Sequence, residues 1–313
     1  MAAAISSASG SALQAVASRS PRAGGAGADF PGAPRFHTRY EELLASRDVD
    51  VVHIATPHTA HYENTLLCLN AGKHVVCEKP LTLSKLHAEK VIASARSKGL
   101  FLMEAVWPRF LPVVIRCEQL IRGGAIGAVQ VVNTSIAIRF DRVKDRRVFD
   151  PALGGGALNE LGTYPLAFAV GYLGPILSCK ASSNADCGVD IQCLFQCVHA
   201  QGLSSGFCAL DFAGRNHVTI VGSDGQAALL PAGGKFEKLA LWHRGTGNEV
   251  SEERRYERSG YEFMVDHVNE CIRDGLAESP RMPLAESLDV AGALERCGIQ
   301  IQSNRSTSAA GGR

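Results

Sequence analysis

Long apolar runs are missing from this sequence. No segment approaches the roughly 18 apolar residues that a membrane-spanning helix needs, and no basic segment precedes a hydrophobic core at the start, as a secretory signal requires. We therefore expect no membrane partner. The segment before Asp29 is rich in Ala and Ser, carries arginine and has no acidic residue, so an organelle transit peptide stays open as an alternative.

An excess of charge of either sign is also missing. The chain has 32 Lys and Arg against 31 Asp and Glu, which gives a net charge of +1. Proteins that hold nucleic acid or anionic membranes use a surplus of basic residues. The composition therefore predicts a small-molecule partner and no nucleic acid.

A framework of closely spaced cysteines is missing too. The ten cysteines are scattered through apolar segments, which is typical of reduced core thiols in a cytosolic protein. Cys187, Cys193, Cys197 and His199 lack the paired spacing of a zinc ribbon or finger, and alternation along a strand puts Cys193 and Cys197 on one face. We predict a cytoplasmic protein without a metal site.

The chain does have enough apolar sequence for about two domains, since 46% of its 313 residues are hydrophobic. Between Val49 and Val106, short Val- and Ile-rich runs alternate with amphipathic stretches. This pattern predicts parallel strands joined by crossover helices.

One helix of this half has clear boundaries in the sequence. Ser84 is a suitable amino-terminal cap, and Gly99 follows the last residues of the amphipathic pattern. The pattern predicts that Leu86, Val91 and Ala95 face inward.

After Trp107 the pattern changes to alternating runs separated by Gly, Asp and Asn turns, which is typical of an antiparallel sheet. The predicted fold class is α/β, a doubly wound parallel Rossmann sheet at 1–106, followed by an α+β domain at 107–303 with an open, mainly antiparallel sheet. Residues 304–313 lack apolar side chains to bury and are predicted to be a disordered tail.

Four segments resemble a known family: "ATPHTAHYENTLLCLNAGKHV", "CEKPLTLS", "LFLMEAVWPRF" and "GGGALNELGTY". They are similar to the glucose-fructose oxidoreductase and inositol dehydrogenase family (Gfo/Idh/MocA), over roughly Leu13 to Ser303, and within it to the branch of dihydrodiol and D-xylose dehydrogenases. The resemblance implies an NADP-dependent oxidoreductase that transfers a hydride from a CH–OH group of a diol or sugar. It also implies a homodimer formed through the open sheet face.

The resemblance further implies roles for individual residues. The catalytic residues would be Lys79 and Tyr164, and the substrate-binding residues Trp107, Arg109 and Glu160. A tyrosine with an ordinary pKa of about 10 serves as a base only where its anion is stabilised, and a neighbouring Lys79 ammonium would lower that pKa. Glu160 precedes Tyr164 by four positions, so one helix would place both on one face, although the branch usually has aspartate there.

The cofactor would be held at the carboxyl ends of the strands. Ser18, Arg19 and Ser20 offer a cation and hydroxyls to a 2′-phosphate at the end of the segment that resembles the family's second strand. The remaining cofactor-binding residues implied by the resemblance are Thr56, Pro57, His58, His61, Glu78, Lys79 and Pro80.

A glycine-rich turn after a first strand is not found. Gly10 is the one glycine before Leu13, and the glycines from Gly24 fall where the family has a helix after its second strand. We therefore expect an exposed sheet edge and weak cofactor affinity. This leaves two alternative functions open: a non-catalytic truncated paralogue that acts as a binding or dimerising protein, and a nicotinamide-dependent glycosidase.

Each assignment has a structural alternative. Spacing alone favours a solvated turn for Lys79 and a core position with a satisfied hydroxyl for Tyr164, and the full motif reverses this preference for Lys79. His53 lies inside a strand and is predicted to be packed rather than functional. The three glycines Gly154 to Gly156 are explained either by a phosphate loop or, with fewer assumptions, by a turn that opens the following helix.

Overall fold

The amino-terminal region is built from short parallel strands and the helices that connect them. The structure is a computed structural model that describes residues 1–19, 30–232, 235–247 and 249–310, with only the backbone described for 305–310. The elements of the amino-terminal region are α1 (Ala2–Ser7), β1 (Ala15–Ala17), β2 (Arg35–His37), α2 (Tyr40–Leu44), β3 (Val51–Ile54), α3 (His61–Asn70), β4 (His74–Glu78), α4 (Lys85–Lys98) and β5 (Leu102–Ala105).

The parallel sheet is divided into two parts. β1 pairs with β2, and β3, β4 and β5 form a separate three-stranded sheet, with every pairing parallel. A doubly wound sheet has the strand order 3-2-1-4-5-6 in the numbering of the general fold. In that numbering, β2 and β1 correspond to strands 3 and 2, and β3, β4 and β5 correspond to strands 4, 5 and 6. No strand in the described part of the chain lies between β1 and β3, so the expected exposed edges are present.

Helix α4 shows how the sequence determines where a helix begins and ends and which of its faces is buried. The Ser84 side chain accepts a hydrogen bond from the backbone N–H of His87, and Gly99 ends the helix with a φ of 63°. Both caps are as predicted, and Val91 and Ala95 are buried. The prediction for Leu86 is wrong: its side chain is 56% exposed, since the buried face is completed by Ala88 and Ile92.

The carboxyl-terminal region places helices against one large sheet. Its elements are α5 (Pro112–Arg122), β6 (Val129–Ala137), α6 (Ala157–Leu161), α7 (Thr163–Leu173), β7 (Ile176–Asp186), β8 (Val189–His199), β9 (Leu203–Ala209), β10 (His217–Gly222), β11 (Gly225–Ala232), β12 (Lys235–His243), β13 (Glu249–Glu253), α8 (Tyr261–Arg273) and α9 (Leu284–Ala310).

The eight-stranded sheet has the order β13-β12-β11-β10-β6-β9-β8-β7 and is antiparallel except for the β6–β9 pair. This confirms the predicted, mainly antiparallel sheet. Helices α5, α7 and α9 contact strands of the sheet, and α9 also contacts α4, which links the two regions.

Helix α9 continues to Ala310, whereas the sequence predicts a disordered tail from Asn304. Extending an existing helix adds one hydrogen bond per residue without a new nucleus, which accounts for a helical backbone at a polar end. Among the described helices, none combines the length and the hydropathy needed to cross a membrane.

The Ser84 cap gives a test of the fold. We expect Ser84→Ala to lower the free energy of unfolding by about 1 kcal/mol, because the first-turn amide of His87 loses its acceptor. Ser97→Ala is the matched control: Ser97 lies exposed inside the same helix, where alanine is a better helix former, so stability should stay equal or rise slightly. Urea denaturation followed by circular dichroism measures both, and an equal loss in the two variants would contradict the capping role.

Candidate active site

Residues from both regions meet at the carboxyl ends of β4 and β5. Lys79 directly follows β4, Trp107 begins a 3₁₀ turn just after β5, and Glu160 and Tyr164 lie on α6 and α7. All four line a cavity of about 240 Å³. Ligands of open α/β sheets bind at this edge, so the structure brings the predicted residues together where chemistry is expected.

Glu160 is the electrostatic centre of this cluster. Its Oε1 lies 3.1 Å from Lys79 Nζ, which also donates to the Glu160 backbone carbonyl. Arg147 forms a fork across both carboxylate oxygens, with distances of 2.9 and 3.3 Å. Burial raises the pKa of Glu160, but the charges of Lys79 and Arg147 outweigh it and lower that pKa from 4.5 to about 2. Glu160 is therefore a fixed anion.

His58 is held as a neutral ring beside this anion. Burial, followed by the charge of Lys79, lowers its pKa to about 4. Its Nδ1 lies 3.0 Å from the carbonyl oxygen of Gly154, and its Nε2 lies 3.3 Å from Arg147 Nη1. A neutral imidazole has one N–H, so these partners assign the proton to Nδ1 and make Nε2 an acceptor for Arg147.

His61 joins the two turns that carry the cluster. Its Nδ1 lies 2.7 Å from the Pro80 carbonyl oxygen and its Nε2 lies 2.9 Å from that of Thr56. Both partners are carbonyl acceptors, and burial lowers the pKa of the ring, so the neutral ring donates its single N–H to one carbonyl and contacts the other. The arrangement fixes the turn after β3 against the turn after β4, which is a structural role next to the predicted cofactor-binding positions.

Glu78, which directly precedes Lys79, forms a second contact with His53. His53 Nε2 lies 3.3 Å from Glu78 Oε1, with both side chains mostly buried. Burial raises the pKa of Glu78, but the hydrogen bond and charge of His53 together with Lys79 outweigh it, so the pKa is lowered overall. His53 is thus packed against Glu78; it lies outside the small cavity and lines the larger one described below.

The environment of Tyr164 differs from the sequence prediction. Burial raises its pKa well above 10, and the neighbouring Tyr261, Glu78 and Glu160 add to that shift. Lys79 Nζ lies 5.5 Å from the centroid of the Tyr164 ring. The expectation that Lys79 lowers this pKa is therefore wrong, because the ammonium is paired with Glu160. The Tyr164 hydroxyl keeps its proton at neutral pH.

Glu160 and Tyr164 also do not share one continuous helix, as the spacing had predicted. α6 ends at Leu161 and α7 begins at Thr163, yet both side chains line the same cavity.

Arg109, predicted to bind substrate, does not belong to this cluster. Its guanidinium is buried, pairs with Glu286 and lies 3.3 Å from the sulfur of Met282, outside the lining of the small cavity. The 3₁₀ turn that holds Trp107 over the cavity directs Arg109 toward the start of α9. Trp107 itself stacks on Tyr261, with 4.7 Å between the ring centroids.

Arg147 and Tyr261 are site residues that sequence reasoning missed. Arg147 comes from a 3₁₀ turn at Arg146–Phe149, 89 residues from His58, and Tyr261 is the first residue of α8. The only signal for Arg147 is the basic character of the segment "VKDRR", which is equally typical of a solvated loop. Its pairing depends entirely on tertiary structure.

The three glycines form a turn. Gly156 precedes α6 with a φ of 118°, and a Cβ there would lie 2.3 Å from Asp190 Oδ1. The Asp190 carboxylate accepts a hydrogen bond of 2.7 Å from the N–H of Leu158, so it occupies the amino-terminal end of this short helix. This favours the turn interpretation over a phosphate loop.

A second cavity, of about 1040 Å³, lies between the two parts of the parallel sheet. Ser18 and Arg19 line it near the end of β1, and Thr56 and Pro57 line it near the end of β3. Ser20 falls outside the described residues. The donor chemistry at both ends fits a dinucleotide with a 2′-phosphate.

This cavity fits the central pyrophosphate of a dinucleotide less well than it fits the two ends. The described residues provide no Gly-x-G-x-x-G turn that leads into a helix, which is the element that cradles a pyrophosphate. Within the described ranges, no group of three or more His, Cys, Asp or Glu side chains is placed to hold a metal ion.

The buried Lys79–Glu160 pair gives a test of the site. We expect Glu160→Gln to lower the free energy of unfolding by about 3 kcal/mol at neutral pH, because it leaves a buried ammonium without its counter-charge. Since the folded state lowers the pKa of Glu160, the difference should be present above pH 4.5 and be lost as the pH falls toward about 2.

Glu89→Gln is the matched control, because it breaks an exposed Lys–Glu pair on α4, with Lys85, and should change stability by less than about 0.5 kcal/mol. Urea denaturation at several pH values measures both variants. Equal effects of the two substitutions at neutral pH would contradict the assignment of Glu160 as the buried counter-ion.

Comparison with known proteins identifies the family. The sequence profile described as "Oxidoreductase family, NAD-binding Rossmann fold" matches residues 1–106, and the profile of the GFO/IDH/MocA C-terminal domain matches residues 114–228. The chain is 35% identical over 290 residues to trans-1,2-dihydrobenzene-1,2-diol dehydrogenase of Oryctolagus cuniculus, covering 90% of this chain and 88% of that protein.

A second relative is D-xylose 1-dehydrogenase (NADP(+)) of Hypocrea jecorina, which is 32% identical over 290 residues and covers 82% of this chain and 74% of its own length. Among solved structures, an aldose-aldose oxidoreductase from Caulobacter crescentus complexed with glycerol superposes with a TM-score of 0.83 at 25% identity, covering 97% of this chain and 93% of that chain. The nicotinamide-binding Rossmann domain, the second domain with its large sheet and these dehydrogenase relatives agree: the chain belongs to the Gfo/Idh/MocA family of oxidoreductases.

Proposed function

We propose that this protein is an NADP-dependent dehydrogenase that oxidises a CH–OH group of a diol or a sugar. The observation that carries the proposal is the cavity at the carboxyl ends of β4 and β5, where the buried Lys79–Glu160 pair lies beside Tyr164. The names of the relatives support the substrate class and the choice of NADP.

The bound cofactor would supply the hydride acceptor, and the protein residues would handle the proton and the orientation of the substrate. Lys79 has three N–H donors, of which Glu160 takes two, so one remains for a substrate oxygen. The Tyr164 hydroxyl keeps its proton and is a second donor in the same cavity. We assign the catalytic roles to Lys79 and Tyr164: donors placed here stabilise negative charge on the carbinol oxygen and return a proton when a carbonyl is reduced.

Trp107 and Glu160 line the cavity and are proposed to contact the substrate. Arg109 is better explained as a residue that anchors α9 through Glu286. For the cofactor, the positions of Ser18 and Arg19 support contacts to the 2′-phosphate, while Thr56 and Pro57 line the opposite end of the large cavity. The remaining proposed contacts, around the nicotinamide end, are His58, His61, Glu78, Lys79 and Pro80.

Titration with NADPH, followed by its fluorescence, tests the proposal, together with initial rates of NADP reduction on trans-dihydrodiols and D-xylose. We expect saturable binding and substrate-dependent reduction of NADP. Lys79→Met and Tyr164→Phe should each lower kcat by about 10²- to 10⁴-fold. Lys90→Met, at an exposed position of α4, is the control and should keep full activity. Absence of NADPH binding at millimolar concentration would refute the proposal.

The pH dependence should follow the raised pKa of Tyr164. Oxidation of the alcohol needs a group that can accept a proton, so its rate should rise as the pH increases from 7 to 10, whereas the reverse reduction should fall. Rates measured in both directions for the wild type and Tyr164→Phe check this. A flat profile for oxidation in the wild type would contradict a proton-transfer role for Tyr164.

One observation favours a second function. The division of the parallel sheet next to the cofactor region is unfavourable for dinucleotide binding, which supports a non-catalytic binding or dimerising protein. The same titration separates the two functions, since a non-catalytic protein of this kind would not bind NADPH.

A homodimer is proposed through the open face of the large sheet. Side chains of adjoining strands expose apolar surface there, namely Leu177, Leu194, Val198 and Leu203, each more than 40% exposed. All ten cysteines are free thiols and nine are buried, which supports the proposed location in the reducing cytoplasm.

Light scattering after size-exclusion chromatography tests the dimer. We expect the double variant Leu194→Lys and Val198→Lys to shift the protein from dimer to monomer, because charges would face each other across the interface. Leu86→Lys, which changes an equally exposed leucine on α4, should leave the mass unchanged. A monomeric wild-type protein would contradict the proposed assembly.

A further inference from the structure

Asn216 lies in the wall that the large sheet contributes to the small cavity beside Lys79. It directly precedes β10, and the neighbouring strands contribute apolar residues to the same wall, namely Ile136 from β6, Pro231 from β11 and Phe236 from β12. A polar amide among apolar side chains is unfavourable unless its oxygen and its NH₂ group have partners. The contacts of these two groups therefore indicate what Asn216 does.

A backbone contact fixes the orientation of this amide. The N–H of Ala137 donates a 2.8 Å hydrogen bond to Asn216 Oδ1, and the Ala137 carbonyl accepts one of 3.1 Å from the N–H of Gly214. A backbone N–H can only donate, so the amide must turn its oxygen toward Ala137. The NH₂ group of Asn216 therefore faces away from this strand.

The NH₂ group of Asn216 differs from the other polar group of the wall, the Lys235 ammonium. Lys235 Nζ donates to the carbonyl oxygens of Tyr256 and Arg258, and it lies 3.8 Å from Glu237 Oε1. In the described ranges, by contrast, no residue accepts a hydrogen bond from Asn216 Nδ2, although Asn216 is partly buried. Its two N–H donors are therefore available to a ligand in the cavity.

The small size of the cavity brings a bound ligand to both ends. The volume of about 240 Å³ is below the range of about 300–1,000 Å³ that is usual for ligand sites. A substrate whose carbinol lies at Lys79 and Tyr164 therefore also reaches the sheet wall. A hydroxyl oxygen of the substrate at this wall supplies the missing acceptor, whereas an apolar group leaves the amide without one.

We propose that Asn216 is a specificity-determining residue, which donates a hydrogen bond to a second hydroxyl of the substrate, apart from the carbinol at Lys79 and Tyr164. The inference rests on the proposed dehydrogenase function and adds a second point of contact to it. A site built to bind a hydroxyl rejects an analogue that lacks it, so Asn216 selects a polyol such as a sugar over the matching deoxy compound.

Tryptophan fluorescence measures sugar binding without cofactor or turnover. Trp107 lines the cavity, and the other tryptophan of the sequence, Trp242, is 42% exposed on β12. In a Trp242→Phe background, the emission therefore reports on the cavity. The probes are D-xylose and its three derivatives that lack the hydroxyl on carbon 2, 3 or 4. We expect one derivative to bind about fivefold to tenfold more weakly than D-xylose.

Asn216→Leu removes the donor and should abolish this discrimination. Loss of the Ala137 contact in the same variant affects D-xylose and its derivative equally, so the ratio of the two dissociation constants isolates the substrate contact. We expect this ratio to fall from about five to ten in the background protein to about one. Asn184→Leu, at an exposed position of β7, is the matched control and should keep the ratio of the background protein.

Initial rates of NADP reduction show how the variant acts on turnover. Asn216→Leu should raise KM for D-xylose about fivefold to tenfold and leave kcat within about twofold, because the lost contact is to a hydroxyl other than the reacting one. A general disturbance of the site would lower kcat as well.

Nuclear magnetic resonance of the side-chain amides gives a measurement that does not depend on folding of the leucine variant. Asn216→Asp keeps an acceptor for the N–H of Ala137 and removes the two NH₂ signals, which assigns them in the wild-type protein. We expect saturating D-xylose to shift these signals and the weakly binding derivative to leave them nearly unchanged.

Three results overturn the proposal: no saturable binding of D-xylose, equal binding of all four sugars by the background protein, or unchanged discrimination by Asn216→Leu. Failure of NADPH binding with the expected sugar pattern refutes the dehydrogenase function and leaves the contact in place. NADP reduction combined with unchanged discrimination by Asn216→Leu refutes the role of Asn216 alone.

Discussion

The ion pair between Lys79 and Glu160 is the contact around which the site is organised. It joins the end of β4 in the Rossmann region to α6 in the second domain, with both side chains less than a tenth exposed. A buried charge is tolerated only with a partner and a full set of hydrogen bonds, so the two domains can close only in a register that brings these groups together. Arg147 completes that set by donating to both oxygens of the Glu160 carboxylate, and it also donates to His58 Nε2.

This pairing changes how the chemistry is understood. Burial raises the pKa of Tyr164 and favours the neutral phenol, while the Lys79 ammonium is paired with Glu160 and lies 5.5 Å from the centroid of the Tyr164 ring. The site therefore presents two proton donors, Lys79 and Tyr164, to one small cavity, rather than a preformed base. The neutral His58 adds no charge, because its pKa lies far below neutrality.

The second constraint is the need to satisfy the backbone of the parallel sheet. Among the described residues, β1 pairs only with β2 and β3 only with β4, and the cavity between β1 and β3 is apolar above and below. Within the described residues, the cavity therefore combines the edges of two parallel strands with apolar surfaces on either side. Ser18 and Thr56, which are proposed to contact the cofactor, line this cavity from opposite sides.

Local sequence accounts for the ends of the helices, for the strands and for the residues proposed to carry the chemistry. Ser84 and Gly99 fix the ends of α4 by local hydrogen bonding and backbone freedom, and the run of Val and Ile in β3 and β4 requires burial on both faces. The resemblance of the segments around Lys79, Trp107 and Tyr164 was enough to place these three at one site. Which charges meet depends on the tertiary structure. Arg147 reaches Glu160 and His58 from a distant loop, and Arg109 pairs with Glu286. The exposure of Leu86 also follows from packing that the helical pattern does not show. Such contacts join residues far apart in the chain, and no local pattern of spacing or hydrophobicity encodes a partner that only folding brings near.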